Sequence, residues 1–514
     1  MFNKELGLLC HISSLYSEYG VGDLGEASRK FIDFLAKDGY TLWEVLPLNK
    51  IDKSNCPYSS PALMAQEELY IDLIPFVEEG VLTQEEVDVL KVSHDSEHVD
   101  FDKVRQIKYD LLDKVFSRKG EAAINEGKQY LSNNPYIKDY AFYRVFTNKF
   151  GNDDWTQWPH FIKKRDPYML ESMEKENEVE MAKYGFFQSI FNKQFKKLQE
   201  YARSNNVKIM GDCAIYPSPN SVDVWVNQGI FKLDDNGLPA VNGGTLDQNW
   251  GTCVYRWQDK KEEVFNWWIN RIKNDLNLYD TLRIDHYTGL CNHYEIPAGR
   301  APHEGYWTDG GGVEFFERLF SQIDKNRIVV EDMGVMSNDA YEVRNRFDLK
   351  GMAVSQFAFE GDPDHIYLPH KVRKNTMYYI GTHDHNTLVG FLDNADGRII
   401  GNIHRYFWLQ HHATNSELAL RMLKSMLHSN ADTVIFQLQD VLLQDNNYVM
   451  NRVGQSGQWS YRAPRAYETF AIHPKNLQYM FYTKPESSAE KIGKEKGIAE
   501  KLNNGERILW TKMK

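Results

Sequence analysis

The sequence is poor in cysteine and lacks the long apolar runs of a membrane-spanning chain. Its five cysteines are odd in number and too widely spaced for a disulfide framework or a Cys-x-x-Cys metal site, so we expect reduced thiols. It contains no apolar run of about 18 residues, and its first residues lack the apolar core of a signal peptide. We therefore expect a cytoplasmic protein that does not insert into membranes.

An excess of positive charge is also missing. Lys and Arg number 60 against 72 Asp and Glu, which gives a net charge of -12. Such a chain repels polyanions, so we expect no nucleic-acid partner and no binding to anionic membranes, and a neutral ligand fits better. Hydrophobic residues at 42% exclude disorder of the whole 514-residue chain and can build a sizeable core.

Short apolar runs recur along the chain, each followed by a polar or glycine-rich stretch and usually by helical periodicity. Eight of these runs are predicted strands: Leu6–His11, Leu42–Leu48, Val207–Cys213, Thr281–His286, Arg327–Asp332, Met352–Phe359, Met377–Thr382 and Thr433–Gln437. Eight alternating β and α units predict an α/β fold of the (β/α)8 TIM barrel type. Because such barrels often exceed the usual domain size, we expect residues 1–514 to form a single barrel without a separate C-terminal β-domain.

Three segments are longer than a minimal barrel requires. Residues 74–206 show amphipathic patterns and are predicted to form a mainly helical insertion between strands two and three. Residues 217–261 are rich in Gly, Asn and Asp and are predicted to form a loop insertion after strand three, at the end where barrel sites are built. Residues 463–514 form a C-terminal extension of unknown role.

Carboxylates end four of the predicted strands: Asp212 in VKIMGD, Asp285 in TLRIDH, Glu331 in RIVVEDMG and Asp384 in MYYIGTHDH. In a barrel these strand ends converge on one face. A single buried carboxylate is usually a paired structural group, because burial without a partner is costly. Together, however, two facing carboxylates supply the nucleophile and general acid of glycoside chemistry, and a third can stabilise an oxocarbenium-like transition state.

Arg283 lies two residues before Asp285, so strand alternation places both side chains on one face. The guanidinium would keep that carboxylate ionised, as a nucleophile requires. A rival interpretation is a metal site. Adjacent strand residues point to opposite faces, which counts against gathering its five donors, namely Asp285, His286, His383, Asp384 and His385. We therefore expect no metal, and we expect no other cofactor because carboxylates can do all the proton and nucleophile work of glycoside chemistry.

Several ordered sequence blocks resemble the 4-α-glucanotransferases called amylomaltases, glycoside hydrolase family 77, over about Glu5 to Arg462. GVGDLG resembles the family's Gly-Ile-Gly-Asp-Leu-Gly, and LWEVLPL is nearly its Leu-Trp-Gln-Val-Leu-Pro-Leu. PYSS and GDCAIYPSPNSVDVW resemble two further elements. The most specific match is RIDHYTGLCNHYEIPAG, which is followed in the family's order by VVEDMGV, GMAVSQFAF and YIGTHDHNT.

The resemblance implies a role for each matching residue. Asp285 corresponds to the nucleophile, Glu331 to the general acid/base and Asp384 to the acid that stabilises the transition state. Residues near the sugar at the cleavage point are Arg283, His383 and Asp212, and residues in glucan-contacting loops are Tyr58, Gln248, Trp250 and Asn451. The implied reaction moves α-1,4-glucan segments to an acceptor 4-hydroxyl by a retaining double displacement, with maltooligosaccharides as partners and an unknown oligomeric state.

Some positions depart from the family pattern without touching the three acids. His385 and Asn386 replace Asn and Asp, Gly311 and Cys253 replace proline, and Gln66-Glu67-Glu68 replaces Gly-Asn-Pro. Two alternatives therefore stay open beside the transferase. One is an α-glucan hydrolase that uses the same site, and the other is a catalytically weak glucan-binding protein.

Overall fold

The computed structural model describes residues 4–93, 96–334, 336–409, 413–451 and 457–479. Within these residues the chain forms fourteen β-strands: β1 (Glu5–Leu9), β2 (Leu42–Glu44), β3 (Asn49–Lys50), β4 (Ala62–Gln66), β5 (Lys208–Cys213), β6 (Val241–Gly244), β7 (Asn249–Cys253), β8 (Thr281–Ile284), β9 (Asn292–Pro297), β10 (Tyr306–Asp309), β11 (Ile328–Val330), β12 (Gly351–Val354), β13 (Thr376–Tyr379) and β14 (Thr433–Gln437).

The same residues form nineteen α-helices: α1 (Glu26–Asp38), α2 (Ile74–Glu78), α3 (Gln84–Asp88), α4 (Phe101–Lys119), α5 (Glu121–Asn133), α6 (Pro135–Phe150), α7 (His160–Lys163), α8 (Pro167–Glu176), α9 (Glu178–Ser204), α10 (Val222–Val226), α11 (Lys261–Leu278), α12 (Gly312–Phe320), α13 (Asn338–Phe347), α14 (Leu388–Asn394), α15 (Gly397–Tyr406), α16 (Asn415–Leu427), α17 (Leu438–Val441), α18 (Tyr467–Phe470) and α19 (Pro474–Tyr479). None of these helices is both long enough and apolar enough to cross a membrane.

Eight parallel strands form the barrel sheet, in the order β11-β8-β5-β2-β1-β14-β13-β12. A parallel bridge between Val329 in β11 and Lys350, next to β12, joins the two ends of this sheet. The predicted (β/α)8 TIM barrel is confirmed, and each predicted strand corresponds to one barrel strand. β5 and β14 end at the predicted residue, and the other six barrel strands end earlier than predicted, as at Met352–Phe359, where a 3-10 helix over Ser355–Phe359 follows β12 directly.

Helix α1 illustrates how the sequence covers the barrel. Its Phe31, Ile32 and Leu35 recur at helical spacing and are buried, so one face packs on the core. Gly39 follows the helix with a φ of 86°, a left-handed conformation that favours glycine and ends the helix. The described part of the C-terminal extension packs on α1 through Tyr467, whose ring centroid lies 5.5 Å from that of Phe34. Residues 480–514 of that extension lie outside the described residues.

Helices α2 to α9 all fall within residues 74–206, between β4 and β5. Helices α5 and α9 approach closely, because Gly127 lies against the backbone of α9. A Cβ at Gly127 would sit only 1.9 Å from the carbonyl oxygen of Ala182, so a larger residue there would push the two helices apart.

Residues 217–261, expected to form a loop, contain more regular structure than that. This segment holds α10, β6 and β7, and β6 pairs with β7 and β9 in an antiparallel sheet of order β10-β9-β6-β7. The sequence VNGG and the polar NWGTC show no clear apolar alternation, so nothing local indicated these two strands. β6 pairs with the neighbouring β7 and also with β9, which lies beyond α11 and β8 in the chain.

Candidate active site

Arg283 is the centre of the cluster at the C-terminal ends of the barrel strands. It lies in β8 opposite Asp212 in β5 and is buried. Its Nη1 donates to Asp212 Oδ2 at 2.5 Å, and its Nη2 lies 3.0 Å from both Asp285 Oδ1 and Glu331 Oε2. One guanidinium therefore holds three of the four carboxylates that end predicted strands.

Asp285 and Glu331 form a coupled pair. Both oxygens lie 3.0 Å from the same Arg283 nitrogen, so they are no more than about 6 Å apart. Burial raises the pKa of Asp285 well above the usual aspartate range, although Arg283 opposes this shift. Burial also opposes ionisation of Glu331, but Arg283, the His286 N–H and Asp285 together lower its pKa. The pair therefore shares a proton that Asp285 holds more readily than Glu331, because two adjacent buried carboxylates do not both ionise easily.

The backbone after β8 helps to orient this pair. His286 has a φ of 43°, a left-handed conformation that is uncommon for a residue other than glycine. This turn aims the His286 N–H at Glu331 Oε2, to which it donates at 2.7 Å. The side chains of Asp285 and Glu331 remain 23% and 22% exposed, so both can be reached from the cleft.

Asp384, which follows β13, is held as an ionised carboxylate. His383 Nε2 lies 3.1 Å from its Oδ2, and Asn451 donates through Nδ2 to its Oδ1 at 2.7 Å. Burial opposes ionisation, but His383 and Asn451 outweigh it and lower the pKa of Asp384. The pKa of His383 is raised in return, because its carboxylate neighbour outweighs its own burial. The imidazole and the carboxylate thus form a hydrogen-bonded pair beside the Arg283 cluster.

Aromatic rings form one wall of the site. Tyr58 donates to Asp212 Oδ2 at 2.6 Å, and its ring stacks on that of His383 at 5.1 Å between centroids. Trp459 packs against both rings, at 5.8 Å and 5.9 Å. Sequence reasoning missed Trp459, and its only local signal is a tryptophan in a polar, glycine-containing stretch.

Trp250 in β7 forms a second wall. Its Nε1 donates to Gln248 Oε1 at 3.0 Å, and its ring meets that of His286 edge-on at 4.9 Å. The antiparallel sheet therefore reaches the residue that follows Asp285. The structure thus places in one connected cluster all ten predicted residues: Tyr58, Asp212, Gln248, Trp250, Arg283, Asp285, Glu331, His383, Asp384 and Asn451.

The side chains of the rival metal interpretation turn to separate partners. His383 engages Asp384, His385 Nδ1 lies 2.8 Å from Thr382 Oγ1, and His286 packs against Trp250. In the part of the chain that the structure describes, no three His, Cys, Asp or Glu side chains are grouped to hold a metal ion.

Comparison with known proteins agrees with this geometry. A family model described as 4-alpha-glucanotransferase matches residues 10–467. The chain is 33% identical to the 4-alpha-glucanotransferase of Aquifex aeolicus, over 90% of this chain and 96% of that protein. It is 31% identical to the 4-alpha-glucanotransferase of Streptococcus pneumoniae, over 90% of this chain and 94% of that protein.

Among solved structures, the chain resembles an amylomaltase from Streptococcus agalactiae in complex with acarbose. That similarity has a TM-score of 0.87 and a sequence identity of 26%, and it covers 94% of this chain and all of the other. The family match spans most of the chain and includes all of the strand-end acids. The chain therefore belongs to the 4-alpha-glucanotransferase family, glycoside hydrolase family 77.

Proposed function

We propose that this enzyme moves α-1,4-glucan segments from a donor to the 4-hydroxyl of an acceptor sugar by a retaining double displacement. The observation that carries the proposal is the bridge from Arg283 Nη2 to oxygens of both Asp285 and Glu331. This bridge keeps the two oxygens within about 6 Å of each other, which is closer than inverting enzymes hold their carboxyl groups and is compatible with a retaining mechanism. Inverting enzymes keep about 6.5–9.5 Å between their carboxyl groups, because water must fit between nucleophile and sugar.

In the first step, Asp285 attacks the anomeric carbon while Glu331 gives its proton to the glycosidic oxygen. The bond from the anomeric carbon to that oxygen breaks, a β-glycosyl ester forms on Asp285, and the reducing-end fragment leaves. The shared proton must be on Glu331 at this moment. Because the two carboxyls are hydrogen-bonded, it can pass directly from Asp285 to Glu331 when the sugar binds.

In the second step, the ionised Glu331 removes the proton from an acceptor 4-hydroxyl, whose oxygen attacks the same carbon and releases Asp285. Two inversions preserve the α configuration. Asp384, kept ionised by His383 and Asn451, stabilises the positive charge that develops on the sugar ring in both steps. Tyr58 and Trp250 belong to the two aromatic walls between which the glucose units bind.

We propose α-1,4-glucans and maltooligosaccharides as the substrates. The open cluster combines carboxylates with aromatic walls, which suits a neutral sugar, and the similar Streptococcus agalactiae amylomaltase is in complex with acarbose. We also propose that the enzyme works in the cytoplasm, because all five cysteines are unpaired, as expected in a reducing compartment.

The test of the proposal is the Asp285→Asn variant. We expect it to lose at least about 10³-fold in the disproportionation of maltotriose, followed as a time course resolved by chain length. Its circular dichroism spectrum should match that of the wild type, because Asn has the same size and Arg283 keeps two other carboxylate partners. Near-normal disproportionation by a folded variant would contradict the assignment.

Hydrolysis by the same site is the second candidate, favoured by the solvent exposure of Asp285 and Glu331. Water and a sugar hydroxyl compete for the same glycosyl ester. Added glucose separates the two reactions. Transfer yields longer maltooligosaccharides, whereas hydrolysis yields only glucose and maltose. Measurable turnover of either kind would also eliminate a purely glucan-binding role.

A further inference from the structure

Glu44 is a carboxyl buried inside the barrel that the proposed reaction does not use. It ends β2, where it lies opposite Met210 of β5, two residues before Asp212. Since Asp212 pairs in register with Arg283, Glu44 lies one inward-facing layer below this pair. Tyr379 of β13 donates to Glu44 Oε2 at 2.9 Å across the barrel. Barrel interiors are usually filled by branched apolar side chains, so a carboxyl here needs an explanation.

Charged and titratable groups face Glu44 from several strands. Arg283 of β8 and His383, beyond β13, are cations that favour its ionised form, and the hydroxyl of Tyr379 does the same. Asp212 of β5 opposes ionisation, as burial does more strongly. On the remaining neighbouring strands, His11 follows β1 and the neutral Gln437 ends β14.

The balance of these contributions makes Glu44 sensitive to pH in the neutral range. Burial raises its pKa to about 7, well above the usual glutamate range, because Arg283, Tyr379 and His383 only partly offset the loss of hydration. Glu44 therefore changes from a neutral to a negatively charged group within the range in which an enzyme of this family would be assayed.

We propose that Glu44 is a positioning residue of the transfer reaction, whose carboxylate lies beneath Arg283 and His383 and helps the Asp285–Glu331 pair to keep its proton. This inference rests on the proposed function, because it assumes that this pair is the catalytic one. It also identifies a feature of this chain, since the family motif quoted above has Gln at this position.

The direction of the effect follows from the charges. At acidic pH Glu44 is protonated, and glutamine would be equivalent to it in charge. Above neutral pH Glu44 carries a negative charge that partly neutralises Arg283. A less positive Arg283 raises the pKa at which the catalytic pair loses its shared proton. Glu44 thus extends activity toward alkaline pH and leaves the acidic limb of the profile unchanged.

The experiment compares kcat/KM for maltotriose from about pH 4 to pH 9 in the wild type, Glu44→Gln and Asp440→Asn. Asp440 is the matched control, because it is also a buried carboxyl with a pKa raised by burial to about 7, but it accepts from the Leu388 N–H outside the Arg283 cluster. In Glu44→Gln we expect the alkaline limb of the kcat/KM profile to move to lower pH by about half a unit. The acidic limb should stay at its wild-type pH. Asp440→Asn should give the wild-type profile.

A second variant keeps the proposal testable if Glu44→Gln fails to fold. Tyr379→Phe removes the hydroxyl that stabilises the Glu44 carboxylate, so it should move the alkaline limb in the same direction by a smaller amount. An unchanged alkaline limb in folded Glu44→Gln, or an equal movement of both limbs, would overturn the inference. If Asp285→Asn is inactive while Glu44→Gln has the wild-type profile, only this inference fails. If Asp285→Asn stays active, the proposed function fails.

Discussion

Two clusters in this molecule each place a buried basic side chain among acidic ones. In the first, Arg283 contacts Asp212, Asp285 and Glu331 at the open end of the barrel. In the second, Lys50 of β3 lies 3.0 Å from Glu67 Oε1 and 2.7 Å from Glu68 Oε2, both of which follow β4. The two clusters have similar compositions but different surroundings.

The Lys50 cluster is sealed and its hydrogen bonds are satisfied. Glu68 accepts from Tyr140 at 2.6 Å, from Tyr109 at 2.9 Å and from Gln188 at 3.0 Å, and its side chain is fully buried. By contrast, the side chains of Asp285 and Glu331 remain partly exposed. Acidic and basic side chains therefore stabilise the fold where all their hydrogen-bond partners are internal. The same side chains can support chemistry where the lone pairs of the carboxylates face a cleft.

The largest expected effect concerns the open cluster. Glu331→Gln should lower maltotriose disproportionation by about 10²- to 10⁴-fold, because glutamine cannot give a proton to the leaving oxygen. Glu331→Gln should still form the glycosyl ester on Asp285 when α-maltosyl fluoride is the donor, because fluoride leaves without protonation. Rapid-mixing assays should then detect a fluoride burst of about one equivalent per active site. Absence of this burst in a folded variant would assign Glu331 a different role.

Substitutions in the sealed Lys50 cluster should change the stability of the fold rather than the activity. Glu68→Gln leaves Lys50 with one carboxylate and should lower the free energy of unfolding at pH 7 by about 3–5 kcal/mol, measured by urea denaturation. Activity per folded molecule should not change. Glu174→Gln is the control, because Glu174 pairs with Lys138 at the surface and its loss should change stability by no more than about 1 kcal/mol.

The pH dependence of this effect has a defined sign. Lys50 and Arg144 outweigh the burial of Glu68 and lower its pKa to about 2. The stability due to Glu68 is therefore fully present above its unfolded pKa of about 4.3, and it is lost as the pH falls toward 2. The difference between the wild type and Glu68→Gln should shrink over this range, and a constant difference would contradict the ion-pair account.

A smaller effect is expected at the edge of the open cluster. Asn451→Ala removes one hydrogen bond to the ionised Asp384, while the His383 contact remains. We expect kcat for maltotriose to fall by about tenfold, because a hydrogen bond to a charged group contributes about 1.5 kcal/mol. If kcat were unchanged and only KM rose, Asn451 would bind the glucan without acting on Asp384.

The smallest effect is a gain of stability. Burial raises the pKa of Asp285 in the folded state, so this carboxyl lowers stability at pH values above its unfolded pKa of about 3.9. Asp285→Asn should therefore unfold at a higher urea concentration at pH 7, with a gain of about 1 kcal/mol, and this gain should vanish near pH 4. A loss of stability at pH 7 would mean that Asp285 stabilises the fold, as Glu68 does in the Lys50 cluster, and would contradict this prediction.

Local signals in the sequence predicted the barrel and the open cluster well. The barrel strands are short apolar runs, and Asp212, Asp285 and Glu331 stand directly at or after their ends. Alternation placed Arg283 beside Asp285, and the structure shows this contact at 3.0 Å. Contacts between residues that are far apart in the chain have no local pattern in the sequence that predicts them. Tyr58 stacks on His383 across 325 positions, and β6 pairs with the distant β9 as well as with its neighbour β7.

The sealed cluster shows the same limit. Lys50, Glu67 and Glu68 resemble an ordinary solvated stretch, and only the helices α4, α6 and α9 bury them, through Tyr109, Tyr140 and Gln188. The burial of Glu44 likewise depends on Tyr379, which lies on the far side of the barrel. A charge becomes structural or catalytic through what the rest of the fold places against it.

The most direct test of the account replaces each reacting acid by alanine and supplies azide as an external nucleophile, with α-maltosyl fluoride as the donor. In Asp285→Ala, azide should enter the space of the missing nucleophile, displace fluoride once and give β-maltosyl azide. In Glu331→Ala, Asp285 should displace fluoride first and azide should then displace Asp285, which gives α-maltosyl azide. Proton NMR of the anomeric position distinguishes the two products. The α product from Asp285→Ala, or the reverse assignment in the two variants, would contradict the role of Asp285 as the nucleophile.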